Sequence, residues 1–354
     1  MNNHITYTQA ISMLNSMDMR YEILQLANGW KAIVTEYSGR LLGPFKDENS
    51  ESVLWVNEAM KDQKSFRQFV ENKQLHLGGE RFWVNPELRF YCKAPELFDA
   101  TYTVQEQIDP GHYNLTRNGN ELTLDMSVSL NDLNNGREKR MYVSRRYTPA
   151  ANPLEYIGSL KDVKVDYCGY MQDVELRDEQ PDYNLAIEPW ILTQVNPDGG
   201  KFVTPIFGES DFVDYYIPVE DMQTFHDGYA ELTATGDRKY KVSYRSAQTC
   251  GRMAFVKPMD GRWHLMVRNY YNDPSVPYVS EPWGDLGNKG CSTYYYNDDL
   301  SNGGFAEFEN GGTTIGGATG RSVSYNTTSL WFFFGSQEDI QKIMKVLLGI
   351  DYKF

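Results

Sequence analysis

The chain has 354 residues, 41% hydrophobic and 14% aromatic, enough for one large domain (1–354) with a substantial buried core. Its net charge of −14 works against nucleic acid, anionic membranes and strongly anionic polysaccharides as partners, since each of these calls for a basic surface. No run of about 18 apolar residues occurs, so no membrane-spanning helix is expected.

The first residues, Met1-Asn2-Asn3-His4-Ile5, lack a basic stretch followed by an apolar one. No secretion leader is therefore expected, which makes the cytoplasm the expected compartment; a leader trimmed away would make it the periplasm or the exterior. Tyr7 to Met17 then predicts a short helix with Ala10, Ile11 and Leu14 on one face. Strand patterns follow at 21–26, 30–37 and 52–56.

Next comes the densest chemistry in the chain, His76-Leu77-Gly78-Gly79-Glu80-Arg81-Phe82-Trp83-Val84-Asn85-Pro86-Glu87. The glycine pair permits a tight turn or a close backbone approach to a ligand. A carboxylate, a guanidinium, two rings, an amide and a second carboxylate are crowded behind it. That mixture suits a sugar site, with Trp83 covering C–H faces while Arg81, Asn85 and Glu87 bind hydroxyls.

Further strand patterns run over 101–107, 113–116, 121–130, 139–148, 154–160, 166–168 and 184–194. The turns Asn118-Gly119-Asn120, Asn135-Gly136 and Pro197-Asp198-Gly199-Gly200 punctuate this part of the chain. In the last of these strands Trp190, Thr193 and Gln194 have the chemistry to reach a ligand, although a buried core strand with one satisfied glutamine reads equally well.

Strands at 229–235, 240–246, 253–256 and 263–271 follow, the last two joined by an Asp260-Gly261 turn. Alternation places His264, Met266, Arg268 and Tyr270 on one face of their strand. A histidine and an arginine so spaced can orient a carboxylate or a sugar oxygen, though a lone histidine is more often structural.

The segment Phe305-Ala306-Glu307-Phe308-Glu309, bracketed by Gly303-Gly304 and Gly311-Gly312, puts Phe305, Glu307 and Glu309 on one face. Two carboxylates beside a ring read either as a solvated edge or as the floor of a pocket. The pocket reading requires the opposite face, Ala306 and Phe308, to be core. A strand at 328–335 and a helix with Ser336 as N-cap close the chain, its apolar face made by Ile340, Ile343, Met344 and Leu347.

The remaining histidines, His4, His112 and His226, lie at the terminus or in turns. Cys92, Cys168, Cys250 and Cys291 are far apart with no metal-type spacing, and read as unpaired, mostly buried thiols of a reducing compartment. No HExxH, CxxC pair, GxSxG elbow or phosphate loop occurs, so no metal and no cofactor is expected. Tyrosine, at 25 residues, is abundant enough to furnish wet binding surfaces as well as core. No βαβ rhythm appears among these strands, which predicts an all-β antiparallel sandwich with short terminal helices.

The order of motifs resembles the galactose mutarotase-like superfamily, in particular a bacterial branch with a Gly-Gly-x-Arg-x-Trp-x-x-Pro-Glu signature. Here that signature reads from Gly78 to Glu87. Asn28 to Gly43 is similar to the superfamily's opening hairpin, Ile187–Gln194 with its turn to a Trp-x-x-Thr-Gln strand, and Phe305–Glu309 to a late Phe-x-Glu-x-Glu strand. The resemblance implies a β-supersandwich that binds a mono- or oligosaccharide on a concave face. In aldose 1-epimerases a glutamate takes the anomeric proton while a histidine protonates the ring oxygen.

By position Glu307 matches the base, with Glu309 as its alternate, and Arg81 matches the sugar-contacting arginine. The strand that carries the epimerases' acid histidine offers Trp190 instead, leaving His76 or His264 as candidate acids. Glu87, Trp83, Gln194 and Arg268 complete the candidate substrate contacts. An epimerase-like or other sugar-active enzyme is one reading. A non-catalytic carbohydrate-binding protein on the same scaffold is the alternative, and a structural module of a larger assembly the third.

Overall fold

The computed structural model describes residues 4–181, 183–208, 211–219, 221–259 and 261–354. Met1 to Asn3, and Asp260 of the anticipated Asp260-Gly261 turn, lie outside the described residues. Among the described residues two ten-stranded sheets make up the body, and every strand pairing in them is antiparallel. The all-β antiparallel sandwich with short helices is thus the architecture of this chain.

One sheet, here the site sheet, has at its centre the strands Glu80–Asn85, Ala186–Val195, Ala306–Gly311, Cys291–Asp299 and Asp237–Arg245, in that spatial order. The other, the back sheet, centres on Arg252–Met259, Arg262–Tyr270, Val323–Gly335 and Val165–Asp178. Their inner faces meet in one continuous core. Phe202 of the back sheet stacks on Tyr295 of the site sheet with centroids 4.5 Å apart and also meets Phe308. Residue alternation does the sorting: in Ala306–Gly311, Ala306 and Phe308 enter this core, so Glu307 and Glu309 point out of its other side.

Both terminal helices form as anticipated. Thr6 caps Tyr7–Ser16 in a reciprocal box with Gln9. Ser336 accepts from the Asp339 amide at the head of Gln337–Leu347, whose Ile340, Ile343 and Met344 pack on Leu265 and Phe333 of the back sheet. A third helix, Gln63–Glu71, was not anticipated; Asp62 caps it, and Phe66 and Phe69 bury its inner face.

Three expected strands are not strands. The 52–56 segment makes only isolated bridges, Leu54 to Val195 and Val56 to Gly78. The 101–107 segment holds a helical turn, a single bridge at Tyr102 and turns, because Gln105 uses its own side chain to bond the Phe90 and Asn131 backbone. The 154–160 segment forms two short 3₁₀ turns, entered through Pro153 and capped by Asn152 on the Leu154 amide. Conversely, Cys291–Asp299 is a central strand that the sequence pattern left unassigned. Among the described residues no helix is long and apolar enough to cross a membrane.

Candidate functional site

The outward face of the site sheet builds a cavity of about 280 Å³. Cross-strand register decides what meets there. One row runs Gln194, Glu307, Tyr296, Lys241 across four neighbouring strands. The next runs Arg81, Leu192, Glu309, Tyr294. Glu307, Tyr296 and Lys241 of the first row and Arg81, Leu192 and Glu309 of the second line the cavity floor, and the segment from Glu87 to Tyr102 supplies one wall through Glu87, Phe98 and Tyr102.

Arg81 reaches this floor because the Gly78-Gly79 pair lets three chain segments press together. Both glycines have positive φ, and a Cβ would sit 2.4 Å from the Trp55 carbonyl oxygen at Gly78 and 2.1 Å from that of Leu41 at Gly79. The close approach that requires glycine is therefore to neighbouring backbone. The two charges that follow then go to opposite faces. Glu80 turns inward, accepting from Tyr170 Oη, Gln172 Nε2 and Arg268 Nη2, the last at 2.9 Å. Arg81 turns outward.

Arg81 Nη2 donates to Glu307 Oε1 at 3.0 Å, its Nη1 lies 3.6 Å from Asp109 Oδ2, and its guanidinium carbon sits 4.0 Å over the Trp83 ring. Asp109 is held behind it by Arg40 at 2.8 Å, by Ser38 and by Trp83 Nε1. Trp83 and Trp190 are cross-strand neighbours packed edge to face at 5.6 Å. Trp190 Nε1 donates to Glu309 Oε2 at 2.8 Å. Lys241 Nζ lies 4.4 Å over the Trp190 ring and 2.7 Å from Glu87 Oε2, whose other oxygen accepts from Tyr102 Oη. Both indole faces anticipated as sugar platforms therefore carry a cation. Phe98, Tyr102, Tyr216 and Tyr296 add further aromatic lining.

The electrostatics separate the two floor carboxyls. Burial raises Glu307, against the pull of Arg81, Arg40 and Lys241 and a hydrogen bond with Glu309. Burial raises Glu309 further, to about 8; Lys241 opposes that shift, while Glu307 and Glu87 add to it. Burial thus favours the protonated form of both carboxyls, while Arg81, ahead of Arg40 and Lys241, draws Glu307 toward the charged form and Lys241 does the same for Glu309.

His76 lines the same cavity, tilted on Phe305 at 4.9 Å, with Nδ1 3.3 Å from Gln194 Nε2. Burial, then Arg81 and Arg40, hold it well below its ordinary value, so it stays neutral. The structure thus gathers Arg81, Trp83, Glu87, Trp190, Glu307, Glu309 and His76 around one hollow, with Gln194 in contact through His76. His264 and Arg268 lie elsewhere. His264 is fully buried in the back sheet, stacked on Phe334 at 4.5 Å and 7°, with no hydrogen bond to either ring nitrogen. Arg268 sits between the sheets on Glu80, Thr193 and Asn310.

Sequence reasoning missed Lys241, Asp109, Tyr102 and Tyr216. Only Lys241 left a readable signal: Lys239, Lys241 and Ser243 alternate with Tyr240, Val242 and Tyr244, so a cation had to leave the core face of that strand. Among the described residues no three His, Cys, Asp or Glu side chains are placed to hold a metal ion.

No family model and no curated protein matches the chain. Solved structures do resemble it at low identity. The galactose 1-epimerase of Lactobacillus acidophilus NCFM is 10% identical over 90% of this chain and 95% of its own, with a TM-score of 0.48. A galactose mutarotase related enzyme of Lactobacillus acidophilus is 8% identical over 90% and 98%, with a TM-score of 0.44. The 4-alpha-glucanotransferase of Thermococcus litoralis is 8% identical over 88% of this chain and 39% of its own, with a TM-score of 0.35.

Proposed function

We propose that the cavity binds one ring of a saccharide and that Glu307 and Glu309 move protons at its anomeric centre, with a carboxyl in the part that a histidine takes in aldose 1-epimerases. The observation that carries this reading is the carboxyl pair itself: two buried glutamates on one strand face of the cavity, Glu307 held by Arg81 and Glu309 by Trp190. Such a pair presents a base and an acid at the same moment. The resemblance of the Gly78–Glu87 and Phe305–Glu309 motifs to the mutarotase-like superfamily supports the same chemistry.

The two oxygens that must exchange protons in ring opening share one carbon, so their acceptor and donor must stand side by side. Glu307 takes the proton from the anomeric hydroxyl as its oxygen forms the carbonyl. The bond from C1 to the ring oxygen breaks, and that oxygen receives the proton of Glu309. Rotation about the exposed C1–C2 bond and reversal of both transfers gives the other anomer, with no net gain or loss of protons. His76, neutral, takes the role of a hydrogen-bond partner in this scheme, so the acid is a carboxyl. The cavity volume of about 280 Å³ suits a single small ring.

The test is anomer exchange, measured by proton NMR on aldohexoses and aldopentoses, with the unaltered protein and with Glu307→Gln. Faster exchange that the substitution abolishes supports the reading. Saccharide binding without any acceleration would instead favour the non-catalytic binder.

A further inference from the structure

The cavity has a neighbour. A second hollow of about 440 Å³ shares Leu75, His76 and Asn302 with it and continues over Asn57, Phe69, Gln74 and Ser301. We propose that this hollow takes a second sugar unit, so that the ligand is a neutral oligosaccharide with its reactive end residue in the deep cavity. The proposal rests on the saccharide reading above and extends it.

Three observations carry it. The chemistry of the second hollow differs from that of the first: no charged side chain lines it, only amides, a hydroxyl, a phenyl ring, an aliphatic chain and the His76 imidazole. Such a surface has no counter-charge for a phosphate or a uronate. It offers hydrogen bonds and an apolar contact, which is what a neutral pyranose presents in return.

The boundary between the hollows is also built. Asn302 Nδ2 is committed to Asp298 Oδ1 at 2.9 Å and Ser301 Oγ at 3.0 Å, and its backbone amide to Asp298 Oδ2. Its orientation is fixed, and the amide oxygen is the atom left to accept from a ligand. Asn57 Nδ2, in the second hollow, donates to the His76 carbonyl at 2.9 Å and so holds the backbone of a residue that both hollows share. A ligand spanning both hollows would thus pass the anchored Asn302 and His76.

Finally, the rim differs where Asp99 and Lys239 line the cavity. They pair at 3.0 Å, and Phe98 beside them stacks on Trp283 at 5.9 Å and 17°. Ion pair and ring stack tie that wall together, whereas Leu75, His76 and Asn302 line the second hollow as well.

The experiment is a titration calorimetry series on the unaltered protein. The probes are glucose, galactose, mannose and xylose, each alongside its β-1,4- and α-linked disaccharides. At least one disaccharide is expected to bind tenfold or more tightly than its monosaccharide. Ser301→Trp, an exposed turn position, is expected to bring that ratio close to one by filling the second hollow. Monosaccharides that bind as tightly as every disaccharide of their series would overturn the second subsite while leaving the saccharide reading in place, as would an unchanged ratio in Ser301→Trp. Failure of every monosaccharide and disaccharide to bind would remove both.

Discussion

Trp190 Nε1 donates to Glu309 Oε2 across 2.8 Å, which leaves Oε1 as the oxygen able to carry a proton. That proton is held by burial up to about pH 8. If Glu309 is the acid, anomer exchange is expected to be flat through neutrality and to fall as pH rises through about 8. Trp190→Phe removes a bond that favours the ionised form, so the alkaline fall should move to higher pH. A pH–rate profile that ignores both Glu309→Gln and Trp190→Phe would exclude Glu309 from the proton transfer.

Glu307→Gln keeps the shape of the floor and removes its base. Exchange is expected to slow by about 10²–10⁴-fold. Affinity for the sugar should stay within about tenfold, since the interaction lost belongs mainly to the transition state. The Arg81 guanidinium keeps Asp109 at 3.6 Å as a counter-charge, so the fold should survive the change. Calorimetry and NMR on the same preparation separate the two quantities.

Much of this arrangement was legible in the chain, because alternation is a local rule. Once Phe308 belongs to the core, Glu307 and Glu309 must share the other face, and Arg81 and Trp83 follow the same logic on their strand. Which strand lies next to which is a long-range fact, and Arg81 meets Glu307 across 226 residues of sequence. Asp109 stands before Pro110-Gly111 in a turn pattern, and nothing local shows that its carboxylate accepts from Trp83. His264 shared a strand face with Arg268, as expected, but that face is the inner one. Thr193 likewise sits beside Trp190 and Gln194 in sequence yet faces Glu80 in the core.

Glu80 and Arg81 should respond to mutation in different ways. Glu80 neutralises Arg268 between the sheets, where both side chains are fully buried. Glu80→Gln strands that arginine and is expected to cost about 3–5 kcal/mol in urea unfolding. Replacing both partners by uncharged side chains, Glu80→Gln with Arg268→Met, should cost less than the single change, because one buried arginine, Arg145 at 3.9 Å from Glu80, is then left without its carboxylate instead of two. A double variant less stable than Glu80→Gln would show that the pair contributes more than mutual neutralisation.

Two buried groups away from the cavity should tilt the pH dependence of stability in opposite directions. Glu188 accepts from Asn85, Thr314 and the Val279 amide, yet burial outweighs these bonds and raises it to about 7. Between its ordinary value and about 7 the folded chain holds a proton that the unfolded chain has released, so stability falls as pH rises through that window. His264, with neither nitrogen bonded, is held well below 6.5 by burial and then by Lys257. Below about pH 6.5 the unfolded chain takes up a proton that the folded one refuses, so stability falls as pH drops. Neither substituted side chain titrates in Glu188→Gln or His264→Phe. The melting temperature of Glu188→Gln relative to the unaltered protein should therefore climb by a few degrees, roughly 2–4 °C per kcal/mol, from pH 5 to 8. That of His264→Phe should climb from pH 7 to 5. Differences that are flat with pH, or that run the same way in both variants, would show that burial does not govern these two groups.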